Sequence, residues 1–152
     1  MALKTTLQTL ISTERKLVIK KTGIFDGTAQ EDGVTLIDAS SFTSIGGRTC
    51  SYVTIDRLWA HTPKMFIDLL WASTNDYPAF SLGGASTAAS DFNYDFSAWG
   101  GLVPPSLGST TITSSEAGAG SGTPTGDLLM DTRGASSGEQ YVIVIEGTKH
   151  YA

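Results

Sequence analysis

Short runs in which apolar and polar residues alternate recur along the chain, and turn-forming residues separate them. In "SYVTIDRLWA" (Ser51–Ala60), Val53, Ile55 and Trp59 alternate with polar positions, and "KMFIDLLWAS" (Lys64–Ser73) follows the same rule. A period of two is that of a β-strand with one buried face. The predicted strands are Arg15–Thr22, Gly33–Ala39, Ser51–Ala60, Lys64–Ser73, Tyr77–Leu82, Asp91–Trp99, Ser109–Thr113, Gly126–Thr132 and Tyr141–Gly147.

Eight or nine short strands separated by turns predict an all-β fold, namely an antiparallel β-sandwich of jelly-roll type in a single domain. No strand alternates with a helical pattern, which excludes a Rossmann-type sheet. Only "ALKTTLQTLISTERK" (residues 2–16) could form a turn or two of amphipathic helix, and its threonines weaken that signal. The predicted organisation is an N-terminal arm (1–14), the sandwich (15–149) and a C-terminal tail (150–152).

Two pairs of neighbouring strands are predicted to form antiparallel hairpins. "HTPK" (His61–Lys64) joins the first pair, and "RGASSGE" (residues 133–139) joins the last two predicted strands. Trp59 and Trp71 lie on the apolar faces of their strands and are therefore predicted in the core. Trp99 precedes the turn-forming "GGLVPPSLG", which would leave its ring near a loop where it could contact a partner.

Composition narrows the possible partners. The chain has 152 residues, 40% of them hydrophobic, 16% charged, and a net charge of −5. The basic residues are scattered except in Arg15–Lys21, which argues against nucleic acid as the main partner. A low-charge surface rich in Ser, Thr and Gly is expected of a protein that lies against other protein.

The sequence contains neither a predicted membrane helix nor a predicted signal peptide, and it contains one cysteine. No apolar run approaches the roughly 18 residues of a membrane helix, and the first 16 residues do not resemble a signal peptide. Synthesis in a cytoplasm is therefore expected, without a membrane partner. The single cysteine, Cys50, is predicted to be a small, partly buried hydrophobic residue.

The motifs that could carry chemistry are incomplete. "GAGSGTPTGD" (Gly118–Asp127) lacks the lysine and the following helix of a phosphate-binding loop, so it is interpreted as a mobile connection with Asp127 as a turn residue before a strand. His61 and His150 are predicted to be exposed loop residues, and neither a G-x-S-x-G nor an H-E-x-x-H motif is present. We expect neither enzymatic activity nor a cofactor.

"DFNYDFS" (Asp91–Ser97) has part of the spacing of a calcium-binding loop, with Asp91, Asn93 and Asp95 at alternate positions. The glycine and the glutamate that such a loop requires are missing. The preferred interpretation is a strand whose polar residues face solvent while the aromatic residues between them point inward. No metal site is predicted, and an incidental cation at Asp91 and Asp95 stays open.

Three segments resemble a family of small tailed-bacteriophage virion proteins. They are "IDRLWAHTPKMFIDLLWAST" (Ile55–Thr74), "YDFSAWGGLVPP" (Tyr94–Pro105) and "TGDLLMDTRGASSGEQYVIVIEGTK" (Thr125–Lys149). The family carries "IDRI", "LWDAT", "DFSxFGG" and a closing "TGDILxTTxGxxSGDTYxIxLExxK". The motif matches cover about half of the chain, and the closing segment is the most specific. At Leu70–Thr74 this sequence has Ala where the family often has Asp-Ala.

The resemblance implies a structural role and supplies no catalytic residues. It points to a capsid decoration, or cement, protein that binds the major capsid protein at the virion surface, and a small homo-oligomer is expected. The alternative is a head or tail fibre component, or a receptor- or carbohydrate-binding β-module. The predicted partner contacts are Trp99, Leu102, Ser115 and Thr123.

Overall fold

A computed structural model describes residues 3–83, 90–105 and 124–151. Its nine strands form two antiparallel sheets, which confirms the predicted all-β sandwich. Two short 3-10 turns, Ala39–Ser41 and Ser97–Trp99, interrupt the strands. The strands are β1 (Lys4–Ser12), β2 (Lys16–Ile24), β3 (Val34–Ile37), β4 (Cys50–Thr62), β5 (Phe66–Trp71), β6 (Tyr77–Gly83), β7 (Ser90–Asp95), β8 (Leu128–Arg133) and β9 (Gln140–Tyr151).

The strands pair in a nested order. β2 pairs with β9, β3 with β8, β4 with β7 and β5 with β6, as in one long hairpin that runs out to β5 and returns from β6. Two further pairs, β4 with β9 and β5 with β8, join these into sheets. The five-stranded sheet has the order β1-β2-β9-β4-β7 and the four-stranded sheet the order β3-β8-β5-β6. β1 is added outside the nested set.

The core lies between the two sheets and follows the alternation of the sequence. In β9, Tyr141, Ile143 and Ile145 are buried, while the residues between them are only half-buried. From the four-stranded sheet, Trp71 is 2% exposed, as predicted for the core. Cys50 is also buried and makes no disulfide, and burial raises the pKa of its thiol. Burial of alternate residues from both sheets is the main favourable term in folding.

The prediction that Trp59 belongs to the core is wrong, and a β-bulge is the reason. Along β4 the pairing with β9 moves from Ile55 to Arg57 across a single step on the partner strand, so Asp56 is an extra residue. An extra residue reverses which face each later side chain points to. Leu58 consequently faces the core, and Trp59 lies half-buried on the outer face of the sheet.

Neither predicted hairpin forms, because both connections cross from one sheet to the other. β4 and β9 belong to the five-stranded sheet, whereas β5 and β8 belong to the four-stranded sheet. The first connection turns at Pro63, whose carbonyl accepts a hydrogen bond from the Met65 N–H at 2.8 Å, and the Met65 side chain is fully buried between the sheets. In the second connection Ala135 is buried in the same way. A short connection can join two strands of one sheet as a hairpin, or it can cross between two sheets as an arch. Both of these connections are arches.

The N-terminal segment forms a strand rather than helical turns. β1 pairs with β2 through most of its length, with a register shift between Thr9 and Ile11. Its threonines fit a strand better than a helix, since β-branched side chains lose rotamer freedom in a helix. At the other end of the chain, His150 lies in β9, where a loop in a C-terminal tail was expected.

Two glycines provide a matched test of close backbone packing. Gly126 and Gly134 both have positive φ, at 91° and 78°. A Cβ at Gly126 would lie 1.8 Å from the Ser51 carbonyl oxygen, whereas a Cβ at Gly134 would meet nothing within 4 Å. Gly134→Ala should cost only the strain of the backbone, about 1 kcal/mol. Gly126→Ala should cost more than about 3 kcal/mol, because backbone must move as well. Denaturant unfolding of the two variants measures the difference, and equal losses would contradict this account.

Candidate functional site

A rigid turn after β7 presents Trp99 to solvent. The indole is 76% exposed and sits at the end of the 3-10 turn Ser97–Trp99. The Phe96 carbonyl accepts hydrogen bonds from the N–H groups of Trp99 and Gly101, both at 3.0 Å. Gly100 and Gly101 follow with φ values of 80° and 88°, a backbone conformation that favours glycine. The sequence expectation of an exposed ring at a glycine turn agrees with this geometry.

The Trp99 turn is held by the bulge in β4. The Asp56 carbonyl accepts a hydrogen bond from the Phe96 N–H at 2.7 Å, before the turn. After the turn, the main chains of Leu102 and Ile55 exchange two hydrogen bonds of 2.8 and 3.0 Å. Gly101 lies so close to β4 that a Cβ there would be 2.5 Å from the Asp56 carboxylate. The turn is therefore fixed on both sides.

The other predicted contact residues fall in different settings. Leu102 is half-buried and packs against the core, so its main chain serves mainly to anchor the turn. Val103, which the sequence did not single out, is 54% exposed directly after it. Ser115 and Thr123 lie outside the described residues, as does the Gly/Ser/Thr loop that contains them. Of the two predicted contact residues that the structure describes, Trp99 is the more exposed.

A row of aromatic rings lies behind the Trp99 turn. The Phe80 ring of β6 contacts Tyr94 and Phe96 edge-on, with centroids 5.0 and 5.2 Å apart. Phe92 and Phe96 stack on either side of Tyr94 at 6.0 Å. The row links an edge strand of one sheet to an edge strand of the other. Aromatic pairs at these distances contribute roughly 0.5–1.5 kcal/mol each beyond their burial, so they stiffen this end of the sandwich.

The acidic positions of β7 face outward, as the strand interpretation predicted. Asp91 lies 2.5 Å from Nδ1 of His61, and Asp95 forms an ion pair with Arg57 at 3.4 Å. Hydrogen bonds from the Ser97 hydroxyl and N–H lower the pKa of Asp95. Both carboxylates therefore already interact with basic side chains of the protein, His61 and Arg57. Within residues 3–83, 90–105 and 124–151, no three His, Cys, Asp or Glu side chains are grouped as metal ligands.

A buried charged cluster lies at another point of the sandwich. Lys21 of β2 lies 3.1 Å from the Glu31 carboxylate, and the Tyr141 hydroxyl donates a hydrogen bond to the other oxygen of that carboxylate. All three residues are buried, with Tyr141 only 1% exposed. The main chain of Glu31 also exchanges hydrogen bonds with the side chain and main chain of Thr132. The cluster therefore joins β2, β9, β8 and the segment before β3.

Burial makes this cluster structural rather than catalytic. Burial, reinforced by the hydrogen bond and charge of Glu31, raises the pKa of Tyr141 well above its ordinary value. A general acid or base must reach a substrate, and these groups are closed off from solvent. An ion pair in such a place is costly to break, because the remaining partner would be left as an unpaired buried charge.

An open polar cleft of about 680 Å³ lies at the end of the sandwich where the β1–β2 turn meets β9. Arg15, Arg48 and the stacked rings of Tyr52 and His150 line it, with ring centroids 4.6 Å apart. Lys149, which also contributes to it, donates hydrogen bonds to Ser12 and to the Thr13 carbonyl. Burial lowers the pKa of Lys149. Basic side chains outnumber the one acidic side chain, Glu14, in the lining of the cleft, and Lys149 and Tyr151 also hold the β1–β2 turn.

Comparison with known proteins adds no family to this description. No family model matches the chain, and neither a curated protein nor a solved structure matches it. In the described residues no helix is long and apolar enough to cross a membrane.

The buried tyrosine generates a test of the cluster at high pH. In the unfolded chain Tyr141 should ionise near pH 10, its ordinary value, while the folded protein keeps the proton. The unfolded state then binds fewer protons, so stability falls as the pH rises above that value, by up to about 1.4 kcal/mol per pH unit. Tyr141→Phe removes this dependence.

At neutral pH the same variant should be less stable than the parent by about 1–3 kcal/mol, because Glu31 loses a hydrogen bond. Denaturant unfolding as a function of pH should therefore show the two stabilities converging above about pH 10. A constant difference across that range would show that Tyr141 has the same pKa in the folded and unfolded protein, which would contradict this account of the cluster.

Proposed function

We propose that the protein is a non-enzymatic capsid decoration protein of a tailed bacteriophage, which binds the major capsid protein on the outside of the head. The observation that carries the proposal is Trp99, a large exposed ring on a turn fixed from both sides. Aromatic residues that are ordered before binding give affinity at low entropic cost, and Trp is enriched among the residues that dominate protein interfaces. The resemblance of the closing segment to phage virion proteins supports the major capsid protein as the partner.

The nested strand pairing supports the finer assignment of a jelly roll. A jelly roll is a double-sheet arrangement of eight antiparallel strands, and β2 to β9 pair here as a long hairpin rolled into two sheets. Jelly rolls occur in viral capsid proteins and also in lectins. The fold is therefore compatible with attachment to a shell but does not by itself distinguish the candidates.

The alternative function, a fibre or carbohydrate-binding module, is favoured by the same side chain. An exposed indole offers a flat apolar face for a sugar ring as readily as for a protein surface. The two functions differ in stoichiometry. A decoration protein covers a repeated lattice and is present in numbers comparable to the shell protein, whereas a fibre component is present in few copies.

Copy number in purified virions is therefore the decisive measurement. Quantitative mass spectrometry of virions from the phage that encodes the chain should give near-stoichiometric amounts relative to the major capsid protein. Heads that lack the protein should also break at lower temperature. A few copies per particle together with a glycan-array signal would favour the fibre or lectin function, and absence from virions would refute both.

Trp99→Ala tests the contact surface. We expect binding to undecorated heads to weaken at least about tenfold, because the variant removes a central anchor. Thermal stability should change little, since the ring is mostly solvent-exposed. Ile45→Ala is the matched control, because Ile45 is an even more exposed apolar residue, at 91%, on a different loop. Equal effects of the two substitutions, or none from Trp99→Ala, would contradict the assignment.

A further inference from the structure

Within residues 3–83, 90–105 and 124–151, no element packs on either face of β1. All nine of its residues are exposed, including Leu7 at 44%, Leu10 at 52% and Ile11 at 44%. Leu7 lies opposite the buried Lys21 of β2, and Ile11 lies opposite Val18 on the other face. Apolar side chains therefore project from both faces of the strand. Single exposed apolar residues are ordinary. Three on one strand, beside a free strand edge, form an apolar patch that another protein could contact.

The free edge of β1 lacks most of the features that normally prevent strand-to-strand association. Natural edge strands are short, carry charges or proline, or contain a β-bulge. Of these features, β1 has the charge of Lys4 at its start and the register shift between Thr9 and Ile11. β3 has only four residues, β6 contains Pro78, and β7 carries Asp91 and Asp95. β1 has nine residues, and between Lys4 and Ser12 it contains no charged residue, no proline and no glycine. Of the four edge strands that the structure describes, it is the one open to pairing.

The base of β1 is firmly attached, so the strand is preformed rather than a free arm. At the β1–β2 turn the Thr13 N–H donates to the Lys16 carbonyl, and the Lys16 N–H donates to the Thr13 hydroxyl, both at 2.9 Å. Lys149 holds Ser12 and Thr13, and the Tyr151 hydroxyl donates to the Glu14 carbonyl. A strand fixed in this way loses little entropy on pairing.

We propose that β1 pairs in antiparallel fashion with β1 of a second copy of this chain, about a two-fold axis. The two five-stranded sheets would then form one continuous sheet. A two-fold interface requires a surface that is complementary to itself. The uncharged segment from Thr5 to Ser12 meets this requirement, because it carries no charge that would repel its own copy and has apolar residues on both faces.

Charges at the two ends of the strand favour the antiparallel arrangement. Lys4 is the first residue of β1, and Glu14 follows its last residue by two positions. Antiparallel pairing brings Lys4 of each copy towards Glu14 of the other, so that one pair of opposite charges approaches at each end. Arg15 and Lys16 follow Glu14, and Lys16 is already paired with Glu146. A parallel arrangement would instead place like charges together. The isolated protein should accordingly be a dimer with a mass near 32 kDa, twice the 16.0 kDa of one chain.

The double substitution Leu7→Lys with Leu10→Lys tests the proposal in purified protein. It places several positive charges around the two-fold axis, where like charges on paired strands repel. Sedimentation analysis should give a dimer for the parent and a monomer for the variant, with the dimer dissociation constant raised more than about tenfold. The control Ile45→Lys makes the same chemical change at an exposed residue of another loop and should remain dimeric.

The fold of the double variant must be checked by its thermal transition. If it unfolds early, a cysteine scan of residues 6–10 provides the independent measurement. A residue near a two-fold axis lies opposite its own copy at a distance that a disulfide can span. Oxidation should then cross-link one or two neighbouring positions strongly and a cysteine at position 45 weakly. Uniform cross-linking would overturn the proposal.

A monomeric parent protein at its highest soluble concentration would also overturn self-pairing, and would leave β1 as a strand for a different protein. Retention of the dimer by a folded double variant would do the same. These measurements use purified protein alone, whereas the decoration function is tested by copy number in virions. Failure of either proposal is therefore distinguishable from failure of the other.

Discussion

The unequal width of the two sheets is the constraint on which the exposed surfaces depend. The four-stranded sheet accommodates the inner faces of β2, β9, β4 and β7, so the core closes without β1. In the described part of the chain no strand of the other sheet pairs beneath β1, and none of the nine residues of β1 is buried. β1 therefore contributes little to the core. The proposed pairing with a second copy would give this strand a function that the core does not.

The bulge at Asp56 has a comparable effect at the other edge of the same sheet. The Asp56 carbonyl holds the beginning of the Trp99 turn, while its carboxylate accepts hydrogen bonds from Thr54 and Thr148, at 2.8 and 2.6 Å. The same extra residue turns Trp59 to the outer face. One irregularity in β4 thus determines how two indoles are presented. Bulges commonly re-aim side chains near functional surfaces.

Sequence patterns predicted the strands well because burial of alternate residues leaves a direct mark on residue order. β2 to β9 all overlap predicted strands, and the predicted strand Ser109–Thr113 lies outside the described residues. The bulge was not predicted, because Trp59 lies in phase with Val53 and Ile55, although Arg57 interrupts that alternation and the apolar Leu58 lies out of phase. The pattern could not distinguish hairpins from arches either, because both join strands whose apolar faces point to one core. β1 was missed because a strand exposed on both faces has no buried period to detect.

The candidate site was predictable in part for a related reason. Trp99 could be identified because glycines after an aromatic residue indicate a turn, and a turn lies at the surface. The hydrogen bond from the Phe96 N–H to the Asp56 carbonyl, which holds the Trp99 turn, is made by main-chain groups, and residue type does not predict it. Likewise Lys21 contacts Glu31, which in turn accepts a hydrogen bond from Tyr141, far away in sequence. Lys21 breaks the apolar face of Leu17 and Ile19, but residue type alone does not identify its partners.

The distribution of charge and apolar surface connects these features. Lys21, Glu31 and Lys149 are charged and buried, while Trp99, Ile45 and the three apolar residues of β1 are exposed. Lys21 and Glu31 form a buried ion pair, while Lys149 donates hydrogen bonds to Ser12 and to the Thr13 carbonyl. These contacts fix the segment before β3 and the β1–β2 turn. Exposed apolar groups on fixed backbone are what a protein interface requires, because little order remains to be imposed when a partner binds. The interior polar contacts thus position the apolar exterior, and the rigidity of one is a condition for the binding capacity of the other.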